Sequence, residues 1–260
     1  MANVMVSKDN KPYRYLVIGN GRWALHLKKY LELLNISFAQ WNRSLDLAQL
    51  TPELDKCTHV LLCISDSALE SFSLQHLKNF KGHTIHFSGA LEIPGLIGIH
   101  PLMTFGTELY PLDVYQNIPM VTTSVLSLDK ILPGFSNSLY RIKPEEKAYY
   151  HALCVLGGNL TTLLIQKMIM GMKELRLPQE IGQLYLQQML KNVFANPEKS
   201  LTGPLARKDL ITVAKNLESL HGDPFADVYQ SFLPIAFPEK QQRQGPVENL
   251  ICDPTKELLL

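Results

Sequence analysis

The sequence predicts an α/β protein, a parallel sheet domain followed by an all-helical one, on three observations. A glycine cluster, "GNGRWA", stands between a strand-like apolar run and a helical one. Short apolar runs alternate with amphipathic segments through the first half of the chain. Beyond about residue 143 that alternation stops and helical periodicity takes over.

The elements follow in order. "YRYLVIG" (13–19) reads as a strand, "RWALHLKKYLELL" (22–34) as a helix ending near Asn35, and "ISFAQW" (36–41) as a second strand. "LAQLTPEL" suggests a helix or turn. "THVLLCI" (58–64) has the unbroken apolar character of a central parallel strand. "SALESFSLQHL" is helical, "TIHFSG" (84–89) is a strand, and the shorter runs 96–100, 118–124 and 138–142 complete the set. Strands alternating with helices imply a parallel sheet covered on both faces. Pro144, followed by Glu145 and Glu146, opens a helix. The domains are therefore 1–142 and 143–260, the second broken into helices at Pro178, around "ANPEKSLTGP" and at "HGDP".

Composition narrows the function. A net charge of +1, with no polybasic tract or acidic tail, gives nucleic acid and anionic membranes no electrostatic footprint. Cys57, Cys63, Cys154 and Cys252 show neither paired spacing nor the density of a disulfide scaffold, so thiols in a reducing compartment are expected. The N-terminus lacks the pattern of a secretory leader. The most apolar long segment, 154–172, contains Asn159, Thr161, Thr162, Gln166 and Lys167, so a buried or interface helix is expected rather than a membrane span. The expected location is the cytoplasm.

"VIGNGRWA" sets Gly19, Gly21 and Ala24 in a G-x-G-x-x-A pattern that leaves a strand and enters a helix. The first glycine permits the tight turn, the second a close backbone approach to a pyrophosphate, and the small third residue close helix–strand packing. The N–H groups of the turn and helix start, from Gly19, Asn20, Gly21, Arg22 and Trp23, are the candidate phosphate cradle. This is the pattern of a Rossmann-type dinucleotide site; an ordinary strand–helix turn without nucleotide is the alternative. About twenty residues on, where such sites usually place an acid on the ribose 2′-OH, stands "WNRS". Arg43 can pair with a 2′-phosphate, Asn42 and Ser44 can donate hydrogen bonds, and no acid precedes Asp46, so the position predicts NADP(H) over NAD(H). The alternative is a solvated surface arginine. Ile64, Ser65 and Asp66 end the central strand at the crevice under the nicotinamide half of a cofactor, and Asp66 is expected to cap the following helix.

"VIGNGRWALHL", "WNRS", "LLCISDSAL", "HFSGAL", "IHPLMTFG", "YYHALCVLGGN" and "LTGPLARKDLITV" occur in an order that resembles a bacterial family of Rossmann-like candidate NADP oxidoreductases with a C-terminal domain of unknown function. The family is similar in architecture to pyrroline-5-carboxylate reductase and 6-phosphogluconate dehydrogenase. The resemblance spans roughly residues 13–235 and implies an NADP-binding domain, a helical second domain and a homodimer through the helices. It implies no particular substrate. One departure is visible: the glycine the family usually carries between arginine and aspartate after "TGP" is Lys208, so a tight backbone approach is not expected there.

Hydride transfer to a carbonyl or imine needs a group that orients the acceptor and one that donates a proton or hydrogen bond to the atom gaining charge. The candidates are Ser88, His100, His151 and Asn159. His100 precedes Pro101 and has a suitable side chain, and a similar His-Pro segment in prephenate and arogenate dehydrogenases places it near substrate by resemblance. On a regular α-helix His151, Asn159 and Thr162 fall within an arc of about 80°, with His151 roughly 12 Å along the axis from Asn159. Asn159 is thus the better substrate contact, Thr162 is a further substrate-binding candidate, and His151 serves a second part of the ligand or the fold. In related β-hydroxyacid dehydrogenases a lysine precedes a comparable asparagine by one turn, where this chain has Val155. Arg207 can anchor a substrate carboxylate, or form the favoured ion pair with Asp209. His83 and His86 face opposite sides of a strand, and no spacing fits a metal site. Two readings result: an NADPH-dependent reductase of a small carbonyl or imine, and an NADP(H)-binding sensor without turnover.

Overall fold

The computed structural model of the chain describes residues 14–238. Contacts divide it into two compact units, residues 1–166 and 167–260.

In the first unit, β1 (Tyr15–Ile18), β2 (Phe38–Trp41), β3 (His59–Leu62), β4 (His83–His86), β5 (Ile97–Pro101), β6 (Met120–Thr122) and β7 (Leu139–Arg141) form one sheet in the order β2-β1-β3-β4-β5-β6-β7. Pairing is parallel from β2 across to β5. It turns antiparallel between β5 and β6, so the sheet is mostly parallel rather than wholly so. The helices are α1 (Arg22–Leu33), α2 (Leu50–Leu54), α3 (Asp66–His76), α4 (Leu112–Gln116) and α5 (Leu128–Ile131).

The apolar runs explain the layers. β1 is buried at every position, and its period of two sends Tyr15 and Val17 to one face and Leu16 and Ile18 to the other. The first pair packs with Leu27, Tyr30 and Leu31 of α1; the second packs with Leu69 of α3 and Leu50 of α2. Each such fully buried side chain contributes about 1.5–3 kcal/mol before entropic costs. Chain order reverses across β1: β2 lies on one side and β3 on the other. In open α/β sheets ligands bind at such a reversal, beyond the carboxyl ends of the strands.

The sheet ends at Arg141 and helices begin with a 3₁₀ turn at Pro144–Glu146, where Lys143 N–H donates to the Glu146 carboxylate. α6 (Lys147–Cys154) then widens into a π-helical stretch, Val155–Leu160, before α7 (Thr161–Glu174). The strand-free helical part thus starts near residue 143, whereas the compact units part at 166/167.

The second unit holds the end of α7, then α8 (Gln179–Ala195), α9 (Gly203–Arg207), α10 (Leu210–Ser219) and α11 (Phe225–Ala236). Arg176 turns left-handed at φ 59°, which lets Leu177 N–H reach the Met172 carbonyl and ends α7 ahead of Pro178. Gly182 then admits the Met172 side chain, bringing α8 close to α7. Lys208 also takes the left-handed region, at φ 56°, so the turn between α9 and α10 forms without the family's glycine.

The run Pro144–Glu174 is long and apolar enough to cross a membrane by length and composition. None of its most apolar window is buried within the chain, which removes the buried-helix half of the expectation.

Candidate functional site

Gly19 leaves β1 at φ 128°, a region that favours glycine, and a Cβ there would run into the Cys63 carbonyl at the end of β3. Its N–H donates to Trp41 O at 2.9 Å, and Cys63 N–H donates to Ile18 O at 2.8 Å, so the ends of β1, β2 and β3 are tied together. Gly21 is extended, precedes α1, and has open space where a Cβ would stand. Asn20, Gly21 and Arg22 are exposed, and Ala24 is fully buried against the sheet. The turn therefore offers unobstructed N–H groups and one cation at a helix start.

At the end of β2, Asn42 Oδ1 accepts from Ser44 N–H at 3.0 Å, a local turn that leaves Arg43 exposed at its tip. Gln40, just upstream, donates to the Gly19 carbonyl at 2.9 Å and to Asn20 Oδ1 at 3.2 Å, and accepts from Lys28 of α1 at 2.8 Å. It braces the glycine turn against β2 and α1, a role its period-two position did not reveal.

Asp66 does not cap α3. Ser65 holds the cap position, and the Asp66 carboxylate instead accepts from the Ser88 hydroxyl at 2.7 Å. Ser88 also accepts from Ala90 N–H at 3.3 Å and Leu91 N–H at 3.0 Å. Its one hydrogen and its lone pairs are thus occupied, which suits joining β4 to α3 better than giving up a proton.

His100, on β5, accepts or donates at Nδ1 with the Tyr150 hydroxyl at 2.7 Å. His151 lies edge-on to the same ring, 5.9 Å between centroids. Gly89 makes this possible, since a Cβ there would collide with the His151 ring and press on His100. Burial, with His151 and Lys147 nearby, pushes His100 down to about 4, so the ring is neutral at physiological pH. Burial and the neighbouring Cys154 thiol raise Tyr150, so it keeps its hydrogen. Behind this pair the buried Lys147 ammonium holds Glu92 at 2.7 Å and the Leu91 carbonyl. Beside it His86 is fully buried with neither ring nitrogen paired, and is likewise pushed down to about 4, first by burial.

These elements converge on a cavity of about 390 Å³ in the first unit. Its lining comprises Gly21–Trp23, Leu62–Asp66, Phe87–Ser88, His100–Pro101, Met103 and Phe105. Trp23 packs on Phe87 and Phe105, with centroids at 5.1 and 4.6 Å, as an aromatic wall. The size is that of a small-molecule site.

The remaining sequence candidates are placed elsewhere. The π-helical stretch changes the angle per residue, so the shared arc for His151, Asn159 and Thr162 does not hold. Asn159 is exposed and is not in the cavity lining; Thr162 is exposed and donates to the Gly158 carbonyl at 2.8 Å. Arg207 is exposed in the second unit and makes no ion pair with Asp209. Asp209 caps α10 through Thr212, whose N–H and hydroxyl hold its carboxyl below the ordinary range. No cluster that could hold a metal occurs among the described residues. Cys57, Cys63 and Cys154 are free thiols; Cys252 lies outside the described residues.

Residues 122–233 match a family model described as a domain of unknown function, DUF2520. The matched segment follows the first five strands of the sheet. No curated protein matches the sequence. Among solved structures, a candidate NADP oxidoreductase from Bacteroides fragilis is similar at a TM-score of 0.71 and 18% identity, over 87% of this chain and 98% of that one. A Thermotoga maritima protein is similar at 0.59 and 22%, over 85% and 96%. The pyrroline carboxylate reductase of Plasmodium falciparum, solved with NADP bound, is similar at 0.53 and 15%, over 86% and 96%. At these identities the likeness is one of fold.

Proposed function

We propose that the chain is an NADP(H)-dependent oxidoreductase that reduces a small carbonyl or imine compound. The observation that carries this is the cavity at the chain reversal beside β1, where the glycine turn, Ile64–Asp66 and His100 meet. The residues fit a dinucleotide: Gly19 permits the turn, Gly21 leaves its approach open, and the start of α1 presents free N–H groups and Arg22 to a pyrophosphate. Arg43 at its exposed tip, next to backbone bonded to Gly19, would take the 2′-phosphate. A bound reduced nicotinamide supplies hydride. His100 would face the acceptor, orienting its oxygen or nitrogen by a hydrogen bond, while Trp23, Phe87 and Phe105 exclude water. The solved relatives of the same fold described as NADP oxidoreductase and NADP-bound reductase support the reading.

The test is a panel of small aldehydes, ketones and cyclic imines, with NADPH consumption followed by absorbance. At least one compound should accelerate consumption, and His100→Ala should lose about a hundredfold or more of that rate. NADPH binding without turnover of any compound would replace this reading by the sensor. That second reading has its own support, because Ser88 is fully engaged and Asn159 lies off the cavity lining.

We propose also that a second copy of the chain covers the helical face. In the second unit Leu184, Phe194 and Ile211 stand 70%, 82% and 74% exposed, and exposed apolar surface of this kind supports a partner. Light scattering should give twice the mass of one chain.

A further inference from the structure

His100, which lines the cavity, meets Tyr150 from fifty residues further along the sequence, and their contact decides what His100 can do. An imidazole with Nδ1 protonated presents a lone pair at Nε2 and acts as an acceptor. With Nδ1 accepting, the hydrogen sits on Nε2 and the ring acts as a donor. Nδ1 is bound to Tyr150, and Nε2 has no partner among the described residues. Since His100 lines the cavity, Nε2 is the nitrogen left for a ligand.

The chemistry of the two groups selects the tautomer. A separation of 2.7 Å makes the contact a direct hydrogen bond that either direction fits. A phenol is a better donor than acceptor, because its oxygen lone pair is delocalised into the ring, while a neutral imidazole nitrogen is a strong acceptor. Both groups are uncharged at physiological pH, so no ionic pairing competes with this arrangement.

The surroundings hold the pair in place. Tyr150 is half-buried on α6, and the Cys154 thiol one turn on also hydrogen-bonds the same phenol, but its sulfur is a weaker acceptor than an imidazole nitrogen. Its ring meets that of His100 edge-on at 5.6 Å, and His151 closes the other side through the gap left by Gly89.

We propose that Tyr150 is a positioning residue that donates its hydroxyl hydrogen to Nδ1 of His100, holding the ring as the Nε2–H tautomer and so giving the cavity a donor rather than an acceptor. The arrangement suits a ligand atom bearing a lone pair, such as a carbonyl oxygen or imine nitrogen, and disfavours a hydroxyl that needs a base. This use of the donor rests on the reductase reading; the tautomer does not.

The experiment is long-range proton–nitrogen NMR on full-length protein labelled with ¹⁵N-histidine, which reads each ring's tautomer. His100→Gln identifies the His100 signals. The expected result is a pyrrole-type Nε2 and a pyridine-type Nδ1 in the native protein, shifting to a mixture of tautomers in Tyr150→Phe. A pyrrole-type Nδ1 in the native protein overturns the proposal without any variant, so poor folding of Tyr150→Phe cannot shield it. A pure Nε2–H tautomer that persists in Tyr150→Phe overturns the role of Tyr150. No outcome depends on turnover, so failure here is distinct from failure of the reductase reading.

Discussion

The two units bury their apolar residues to different degrees, though they belong to one chain. In the sheet unit Tyr15 to Ile18, Leu27, Tyr30 and Leu61 are fully enclosed, and two clusters fill both faces of the sheet. In the helical unit Val213 is the large apolar side chain that reaches burial among the described residues, while Leu184, Phe194 and Ile211 face outward. A sheet whose strands are apolar on both faces closes its core with its own helices. Helices with apolar surface in several directions do not, and need a further surface to pack against. The first unit thus encloses its core with its own helices, and the second leaves most of its large apolar side chains exposed.

The largest effect is expected where the sheet unit is tightest. Gly19→Ala puts a Cβ against the Cys63 carbonyl at a positive φ, and should cost about 3 kcal/mol or more and remove NADPH binding, read by thermal melting and titration. A melting temperature within a degree or two of the native value would break the contrast. Acid comes next. His59, His86 and His100, all in the sheet unit, are pushed down by burial to about 4 from 6.5. Between those values the unfolded chain binds more protons than the folded one, so stability rises with pH across the window and is lost as pH falls from about 6.5 towards 4. The helical unit has Asp209 and Asp223 held low by Thr212 and Lys167, whose contribution is lost below the ordinary carboxylate range. On acidification the fluorescence of Trp23 and Trp41, both in the sheet unit, should therefore change before far-UV helicity does. The reverse order would assign the weak unit wrongly.

Phe194→Asp sharpens the other side of the comparison. On a solitary surface such a change moves stability by less than about 0.5 kcal/mol. If a second copy covers the face, self-association should weaken at least tenfold by sedimentation. Smallest is Lys208→Gly, which relieves a left-handed lysine and should raise stability by about 0.5–1 kcal/mol in chemical denaturation. A loss would show that the Lys208 side chain has a role beyond its backbone.

What the sequence displayed was local. Short apolar runs marked the seven strands, and the glycine spacing marked a turn whose φ and close neighbour fit it. Pairings across long separations were hidden: Ser88 with Asp66, Gln40 with the Gly19 turn, and Tyr150 with His100 each depend on strand order that no local pattern encodes. The antiparallel β6 was hidden for the same reason. "VLGGNL" carries two glycines, yet 3.6-residue periodicity does not register the π-helical turn they form, so the helical arc drawn through Asn159 does not apply.

The central claim, an NADP(H) site at the glycine turn, is tested most directly by titrating the protein with NADPH and NADH, native and Arg43→Ala. The expected result is micromolar NADPH binding, weaker NADH binding, and about a tenfold loss in the variant confined to NADPH, the scale of one exposed charge-assisted contact. Equal binding of both nucleotides, or binding of neither, would contradict it.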